Sequence, residues 1–443
     1  MMQGDSQTRH PSILMVKDCA MNIIRTFHPV GQGGFYSEEF RDSEGNCVFR
    51  VVYDCGSLKY CGLQKNSDGS LLSRQDIKNR VSGAFSDDHG NVDDHGIDVL
   101  FISHLDDDHV NLIPCLKPFT NHQIRRVILP LLSEEERYML TGYHLSRSRW
   151  GRISDALDSI INSPEEYFGK DTKVTFVRPA DGERTIMENE VDDEGVGFDD
   201  LPEEISSLTK ISIGNNLPDN RRMPRWLLIP YNHKPERYSD LKDELENVFG
   251  KGFLFENLKD PDFVIKELKN LRSCYKKLPE GINRNSMALY SGPHDGACPA
   301  STGKVESRDF WGSCCPDQLV DYCFDCGLSR VNPFPVGVYP IFFCRPGCLY
   351  TGDLSLDDAG LTESFKRYDS VIGMVQLPHH GSLDSFGAGD LPIDRRVCVV
   401  SYGEKNQFGH PAFAVKRAVA QKGGLWVDVT ETDESRFRVE YTV

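Results

Sequence analysis

The sequence lacks any apolar run of about twenty residues, the length a membrane-crossing helix needs, so no membrane span is expected. Its opening segment, Met1 to Pro11, is polar and has no apolar stretch of the kind a secretory leader carries, so a cytoplasmic protein is expected. Positive charge is scarce as well: 50 Lys and Arg stand against 67 Asp and Glu, a net charge of −17. Proteins that grip nucleic acid over a wide face are normally basic, so this balance argues against extended binding and leaves room only for a local basic channel. Arg147, Arg149 and Arg152, then Arg221, Arg222 and Arg225, then Lys276 and Lys277 are the candidates for one. A solvated face is the plainer reading of each cluster. There is no internal repeat.

What is present is a concentration of metal-capable side chains at the ends of apolar runs. Ser103-His104-Leu105-Asp106-Asp107-Asp108-His109 reads H-x-D-x-D-H, directly after the strand-like run Ile97 to Ile102. It supplies imidazole and carboxylate together, as a two-metal hydrolytic site requires. The plainer alternative is an acidic turn in which Asp106 to Asp108 cap a helix starting near Val110. Asp107 is expected to point away. In Leu349-Tyr350-Thr351-Gly352-Asp353 an apolar strand ends in Gly-Asp, which projects one carboxylate able to bridge two cations; a turn Asp is the alternative. Gln376-Leu377-Pro378-His379-His380-Gly381-Ser382 follows the strand-like run Val371 to Val375. Adjacent histidines point in different directions, so one of the two is expected to ligate, unless they are a surface pair.

These segments are part of a longer ordered set. Val30-Gly31-Gln32-Gly33 and Val51-Val52-Tyr53-Asp54-Cys55-Gly56 come before H-x-D-x-D-H. Asn283-Arg284-Asn285-Ser286-Met287-Ala288-Leu289 follows it, and Val399-Val400-Ser401-Tyr402-Gly403 with Phe408-Gly409-His410-Pro411 closes the series. In this order the motifs resemble the metallo-β-lactamase-type hydrolase domain of the DNA-uptake channel protein ComEC and its free-standing relatives. The resemblance implies an α/β fold, a four-layer αββα sandwich, with two divalent cations (Zn or Mn) at one edge. His104, Asp106, Asp108 and His109 match the first metal motif, and Asp353 matches the bridging carboxylate. His379 or His380, together with His410, matches the C-terminal histidines. Asp54 matches an early Asp that supports the metal loop, and Asn285 and Ser286 match a strand motif of structural role. Asp108 and His380 are the candidate catalytic pair, with His380 stabilising charge on the attacked phosphoryl oxygen or helping the leaving oxygen depart. The chain departs from the pattern at Gly34, where Asp is usual, and at Asn111-Leu112, where two glycines are usual. The channel's membrane helices are absent.

The motifs run from Val30 to His410, which argues for one catalytic domain over residues 20–443 with large insertions, and a 39% hydrophobic content suffices for its core. Met21 to Phe27 and Val48 to Asp54 read as paired strands joined by a Gly-rich turn. Residues 59–96 read as a polar surface loop with some helix. Residues 120–280 read as a helical and acidic insertion, with strands at Val127 to Leu129 and Trp226 to Ile229 and a mobile acidic loop at 181–204. Helices are expected from Ser133, over Gly151 to Asn162, Tyr238 to Val248 and Pro261 to Lys277.

Seven of the fourteen cysteines lie between Cys298 and Cys348, in a second insertion over 291–346 that relatives replace by a short hairpin. Cys323-Phe324-Asp325-Cys326 has the C-x-x-C spacing that lets two thiolates reach one tetrahedral zinc. Cys314 or Cys315, or Cys344 and Cys348, could complete an additional structural zinc site. Small buried thiols are the alternative.

The expected function is metal-dependent phosphodiester hydrolysis, first as a DNA nuclease. A phosphodiesterase for a small substrate such as a cyclic nucleotide is the alternative. A third reading is a partner-dependent module whose insertions bind another protein, within a bacterial multi-gene system such as phage defence.

Overall fold

A computed structural model describes residues 21–58, 72–86, 95–116, 124–148, 153–180, 195–213, 226–233, 237–277, 286–294, 302–306, 345–356, 360–386 and 393–442. Their strands are β1 (Asn22–Phe27), β2 (Phe35–Arg41), β3 (Cys47–Cys55), β4 (Val99–Phe101), β5 (Arg126–Pro130), β6 (Lys173–Arg178), β7 (Val196–Gly197), β8 (Glu204–Ser206) and β9 (Ile211–Ser212). The series continues with β10 (Trp226–Asn232), β11 (Met287–Pro293), β12 (Thr302–Glu306), β13 (Gly347–Tyr350), β14 (Ile372–Gln376), β15 (Val397–Ser401), β16 (Leu425–Val429) and β17 (Phe437–Thr442).

They form two mixed sheets. The first has nine strands in the order β12-β17-β1-β2-β3-β4-β5-β6-β8, and the second eight in the order β16-β15-β14-β13-β11-β10-β9-β7. The run from β3 to β8 in the first sheet is parallel, and so is β13 to β16 in the second. Parallel neighbours need long crossovers, which is why helices lie between them in the chain.

Side-chain alternation explains how the sheets stack. Val51 and Tyr53 of β3, Val99 and Phe101 of β4, and Ile128 of β5 enter one core with Leu228 of β10 and Met374 of β14. Their neighbours Val52, Leu100, Val127 and Leu129 face outward onto helices at 74–82, 134–147, 155–162, 237–249 and 268–277. On the far side, Leu227, Ile229 and Val375 meet Leu361, Val415 and Val419 of helices 361–364 and 413–421. A period of two buries both faces of each sheet, so the two sheets share a central core and each packs helices on its outer face, three cores in all.

One buried ion pair ties the sheets together. Arg25 Nε of β1 donates to Glu38 Oε1 of β2 at 2.8 Å, and both side chains are almost completely enclosed. From the other sheet, Tyr350 donates to Glu38 Oε1 at 2.8 Å and Ser291 to Glu38 Oε2 at 2.5 Å, while the Pro346 carbonyl accepts from Arg25 Nη1 at 2.9 Å.

Several sequence expectations need correction here. Strands 22–27 and 47–55 are not neighbours: β2 pairs with both and separates them. Its Ser-Glu-Glu centre reads as solvent-facing, but Glu38 is buried because Arg25 neutralises it. The helix expected over 261–277 is two, Pro261–Lys266 and Leu268–Lys277, meeting at Glu267. The acidic loop expected over 181–204 ends sooner: Phe198 is buried against Phe49 at 5.0 Å between ring centres, which anchors the chain. Residues 181–194 lie outside the described residues. The segment 120–280 supplies β5, β6, β7, β8, β9 and β10 to the sheets besides its helices. The helix expected from Ser133 runs over Glu134–Arg147, capped by Ser133 and Glu136 bonding reciprocally to each other's backbone. Of the Cys-rich stretch, Cys314, Cys323, Cys326 and Cys344 lie outside the described residues, as do Cys298 and Cys315. Cys348 is buried between the sheets beside Arg25, and burial pushes its thiol up to about 12.

Candidate metal centre

The site forms where the parallel strands of both sheets end. The chain leaves β4 into His104–His109, β13 into Asp353, β14 into His379–His380 and β15 into the loop that carries His410. Carboxyl ends of parallel strands are where open α/β sheets bind ligands, because side chains there are aimed outward from a rigid frame.

Tight backbone approach sets this edge. A Cβ on Gly56 would lie 2.3 Å from the Asp108 carbonyl carbon, so the chain after Asp54 packs directly against the His104–His109 loop and only glycine fits. Asp54, His379 and His380 have φ of 57°, 47° and 55°, a left-handed conformation that is costly for residues with a Cβ. Such strain persists where surrounding contacts over-determine it, and here it collects at one site.

His104, His109 and His380 are each held by Nδ1. His109 Nδ1 donates to Asp54 Oδ2 at 2.8 Å, and Asp54 is fixed in turn by the Ser103 amide and hydroxyl, each at 2.7 Å. His104 Nδ1 lies 3.0 Å from the hydroxyls of both Ser103 and Ser286. His380 Nδ1 donates to the Ser401 carbonyl at 2.8 Å. An Nδ1–H so engaged leaves the Nε2 lone pair for a ligand, the usual outer bonding of a metal-binding histidine.

The Nε2 atoms then meet carboxylates. His109 Nε2 lies 3.2 Å from Asp353 Oδ1, His104 Nε2 3.8 Å from Asp353 Oδ2, and His380 Nε2 3.3 Å from Asp108 Oδ2. Two groups could hold a divalent ion, His104 with His109 and Asp353, and Asp108 with His109 and His380; within each the ligand atoms lie within 4.8 Å of one another. His104 Nε2, His109 Nε2 and Asp353 Oδ1 are buried and have no hydrogen-bond partner. Buried polar atoms are normally satisfied, and three such orphans converging on one point are what a bound cation would explain. The residues therefore fit a metal.

Of the sequence candidates, His104, Asp108, His109, Asp353 and His380 are brought together, with Asp54 directly behind His109. Asp106, His379 and His410 line the same cleft of about 380 Å³ without joining either group. Asp106 forms no side-chain cap on the short helix Asp107–Val110, so the capping alternative fails for it. His380 is the enclosed member of the histidine pair, whereas His379 stands at the rim with Nδ1 2.9 Å from the Ser385 hydroxyl.

Sequence reasoning missed two of the supports. Gln376 Oε1 accepts from the amides of Thr351 and Gly352 at 2.7 and 2.8 Å, which fixes the turn that aims Asp353. Its position just before Leu377-Pro378 carries no signal of this. His144, one helical turn before Arg147, donates from Nε2 to the Leu105 carbonyl at 2.8 Å and steadies the metal-motif loop.

Burial dominates the electrostatics. It pushes His104 down to about 3, and His144 and His410 down to about 4. Burial and then the Asp108 charge push the Asp106 carboxyl up to about 8. For Asp353, burial is outweighed by His109 and His379, which hold it well below the usual carboxylate range. His104 and His144, enclosed and neutral in the fold but protonated near pH 6.5 when unfolded, make stability present above pH 6.5 and lost as pH falls toward 4, and the partly exposed His410 adds a smaller share in the same sense. Asp106 works in the opposite sense and cancels about one of the two enclosed imidazoles. In a chelator, the unfolding free energy should fall from pH 6.5 to pH 5, by about 1.4 kcal/mol per pH unit for the uncancelled imidazole. A flat profile would contradict this assignment.

No known sequence family and no curated protein matches the chain. Among the described residues, no helix is long and apolar enough to cross a membrane.

Proposed function

We propose that this protein is a metal-dependent hydrolase that cleaves phosphodiester bonds, in the first place a DNA nuclease of the metallo-β-lactamase type. The observation that carries the reading is the convergence of His104 Nε2, His109 Nε2 and Asp353 Oδ1, buried and without a hydrogen bond, beside Asp108 and His380, at the carboxyl ends of both sheets. Helices covering the outer face of each sheet are compatible with the αββα sandwich of that family, and the ordered motifs resemble its ComEC branch.

His104, His109 and Asp353 would hold one divalent ion. One lone pair serves one ion, so Asp108 and His380 would hold another. Bound there, such ions act as Lewis acids and bring a water's pKa toward neutrality. Asp54 and the Ser401 carbonyl keep His109 and His380 in the tautomer that offers Nε2. His379 belongs to neither group but lines the same cleft, with Nε2 3.8 Å from Asp353 Oδ2.

The test is cleavage of labelled single-stranded and double-stranded DNA with added manganese, by the wild-type protein and by Asp353→Ala. Cleavage by the first and at least a hundredfold less by the second is expected. The small cleft and the charge of −17 also favour a small substrate. Hydrolysis of cyclic nucleotides with none of either DNA would select that reading.

A further inference from the structure

Among the described residues lining the cleft, Arg147 is the one permanently cationic side chain, in a cleft that also carries Asp106, Asp108 and Asp353. It sits at the last turn of helix Glu134–Arg147. Tyr143, one turn earlier, orients it twice: the phenol oxygen accepts from Arg147 Nη1, and the guanidinium lies 5.2 Å from the ring centre. Among the described residues, no carboxylate pairs with it at contact distance. The planar fork is thus held in place with donors to spare, and a fork of this kind matches two oxygens of a phosphate.

The cleft also carries an aromatic side chain of unusual exposure. Phe408 is 51% exposed, though large apolar side chains are mostly buried elsewhere. Its loop is fastened by Asn406, whose Oδ1 accepts from the amides of Phe408 and His410 at 3.0 and 3.1 Å and whose Nδ2 donates to the Gly403 carbonyl at 2.8 Å. The ring is therefore presented from a fixed loop, 5.7 Å from the His410 ring between centres.

We propose that the cleft binds an unpaired nucleotide, with Arg147 taking the phosphate and Phe408 stacking the base. The chemistry recognises this ligand class specifically. A phosphate alone has no use for the aromatic platform. A paired base cannot offer its face to a ring, and an acidic protein has no broad basic surface for a duplex. Base–aromatic stacking with one backbone cation is the general way single strands are held without sequence preference. The inference rests on the phosphodiesterase reading, which it narrows to single-stranded nucleic acid.

Binding tests it apart from catalysis. Fluorescein-labelled oligothymidylate is titrated by anisotropy with calcium in place of manganese, against wild type, Arg147→Gln and Phe408→Ala, and against the annealed duplex. Each variant should weaken single-strand binding about tenfold, equivalent to about 1.4 kcal/mol, and the duplex should bind wild type at least tenfold less well. Arg147→Lys should recover part of the loss and Tyr143→Phe should show part of it, since a point charge lacks the fork and an unheld fork is misaimed. Metal content should stay at the wild-type level in every variant. Equal binding of duplex and single strand, variants that bind like wild type, or no single-strand binding at all would each overturn the proposal. Wild type that binds the single strand as expected but cuts nothing with manganese would leave this inference standing and sink the hydrolase reading.

Discussion

His109→Ala should remove metal binding and, independently, destabilise the metal-free protein by about 3–5 kcal/mol, the range for removing one partner of a buried ion pair. The imidazole stands between two enclosed carboxylates, 2.8 Å from Asp54 and 3.2 Å from Asp353. Burial alone would keep it neutral, but those two carboxylates hold its pKa well above the ordinary value, so without a metal it is the cation that balances them. Truncation leaves both carboxylates in a poorly solvating pocket with nothing opposite, and with a metal present it removes a ligand. Metal per chain after dialysis and denaturant unfolding in chelator separate the two losses. His410→Ala is the contrast, because His410 belongs to neither ligand group; it should leave the chelated protein close to wild type. If His109→Ala unfolds in chelator at the wild-type midpoint, the Asp54–His109–Asp353 assignment is wrong.

Glu38→Ala should be comparably damaging far from the site. The carboxylate receives Arg25, Tyr350 and Ser291, so its loss strands a guanidinium that is fully enclosed and leaves two hydroxyls short of an acceptor. A cost of about 3–5 kcal/mol is expected, a large share of the roughly 5–15 kcal/mol that holds a typical domain together. Arg25→Met with Glu38→Leu should cost much less than Glu38→Ala alone, since an apolar pair of similar volume has no charge to strand. A double-mutant cycle on unfolding free energies reads the coupling. Additive single and double effects would mean that packing, and not charge, matters at this point.

The strand-end motifs were legible because chemistry and punctuation coincide in them: an apolar run stops and histidine or aspartate follows at once, as at Ile102-Ser103-His104 and Gly352-Asp353. Of the parts that hold those residues, Asp54 and Ser286 were matched by the resemblance, but their bonds to the histidines were not legible. Ser286 reaches His104 across 182 residues of chain, and Gln376 grips the turn before Asp353 from a different strand. Such contacts exist only after the sheets have formed, and their residue types are common everywhere. β2 was lost for the opposite reason: its glutamates mimic a solvent-facing stretch, and only their partners, Arg25 for Glu38 and Arg50 for Glu39, account for the burial of both. Asp106 illustrates a subtler limit. Its place in the metal motif was readable, but its distance from both ligand groups depends on how the short helix Asp107–Val110 turns.

The antiparallel pairing of β11 with β13 has a mechanical consequence. Ser291 lies opposite Cys348, so the chain leaves β11 at Pro293 and re-enters β13 at Gly347 on the same side. The other ends of these strands carry Ser286 and Asp353, at the cleft. Pro293 and Gly347 thus stand at one end of two paired strands whose opposite ends lead to the metal-site carboxylate and its serine support. A shift of either strand along its own axis would therefore move Ser286 or Asp353 at the cleft.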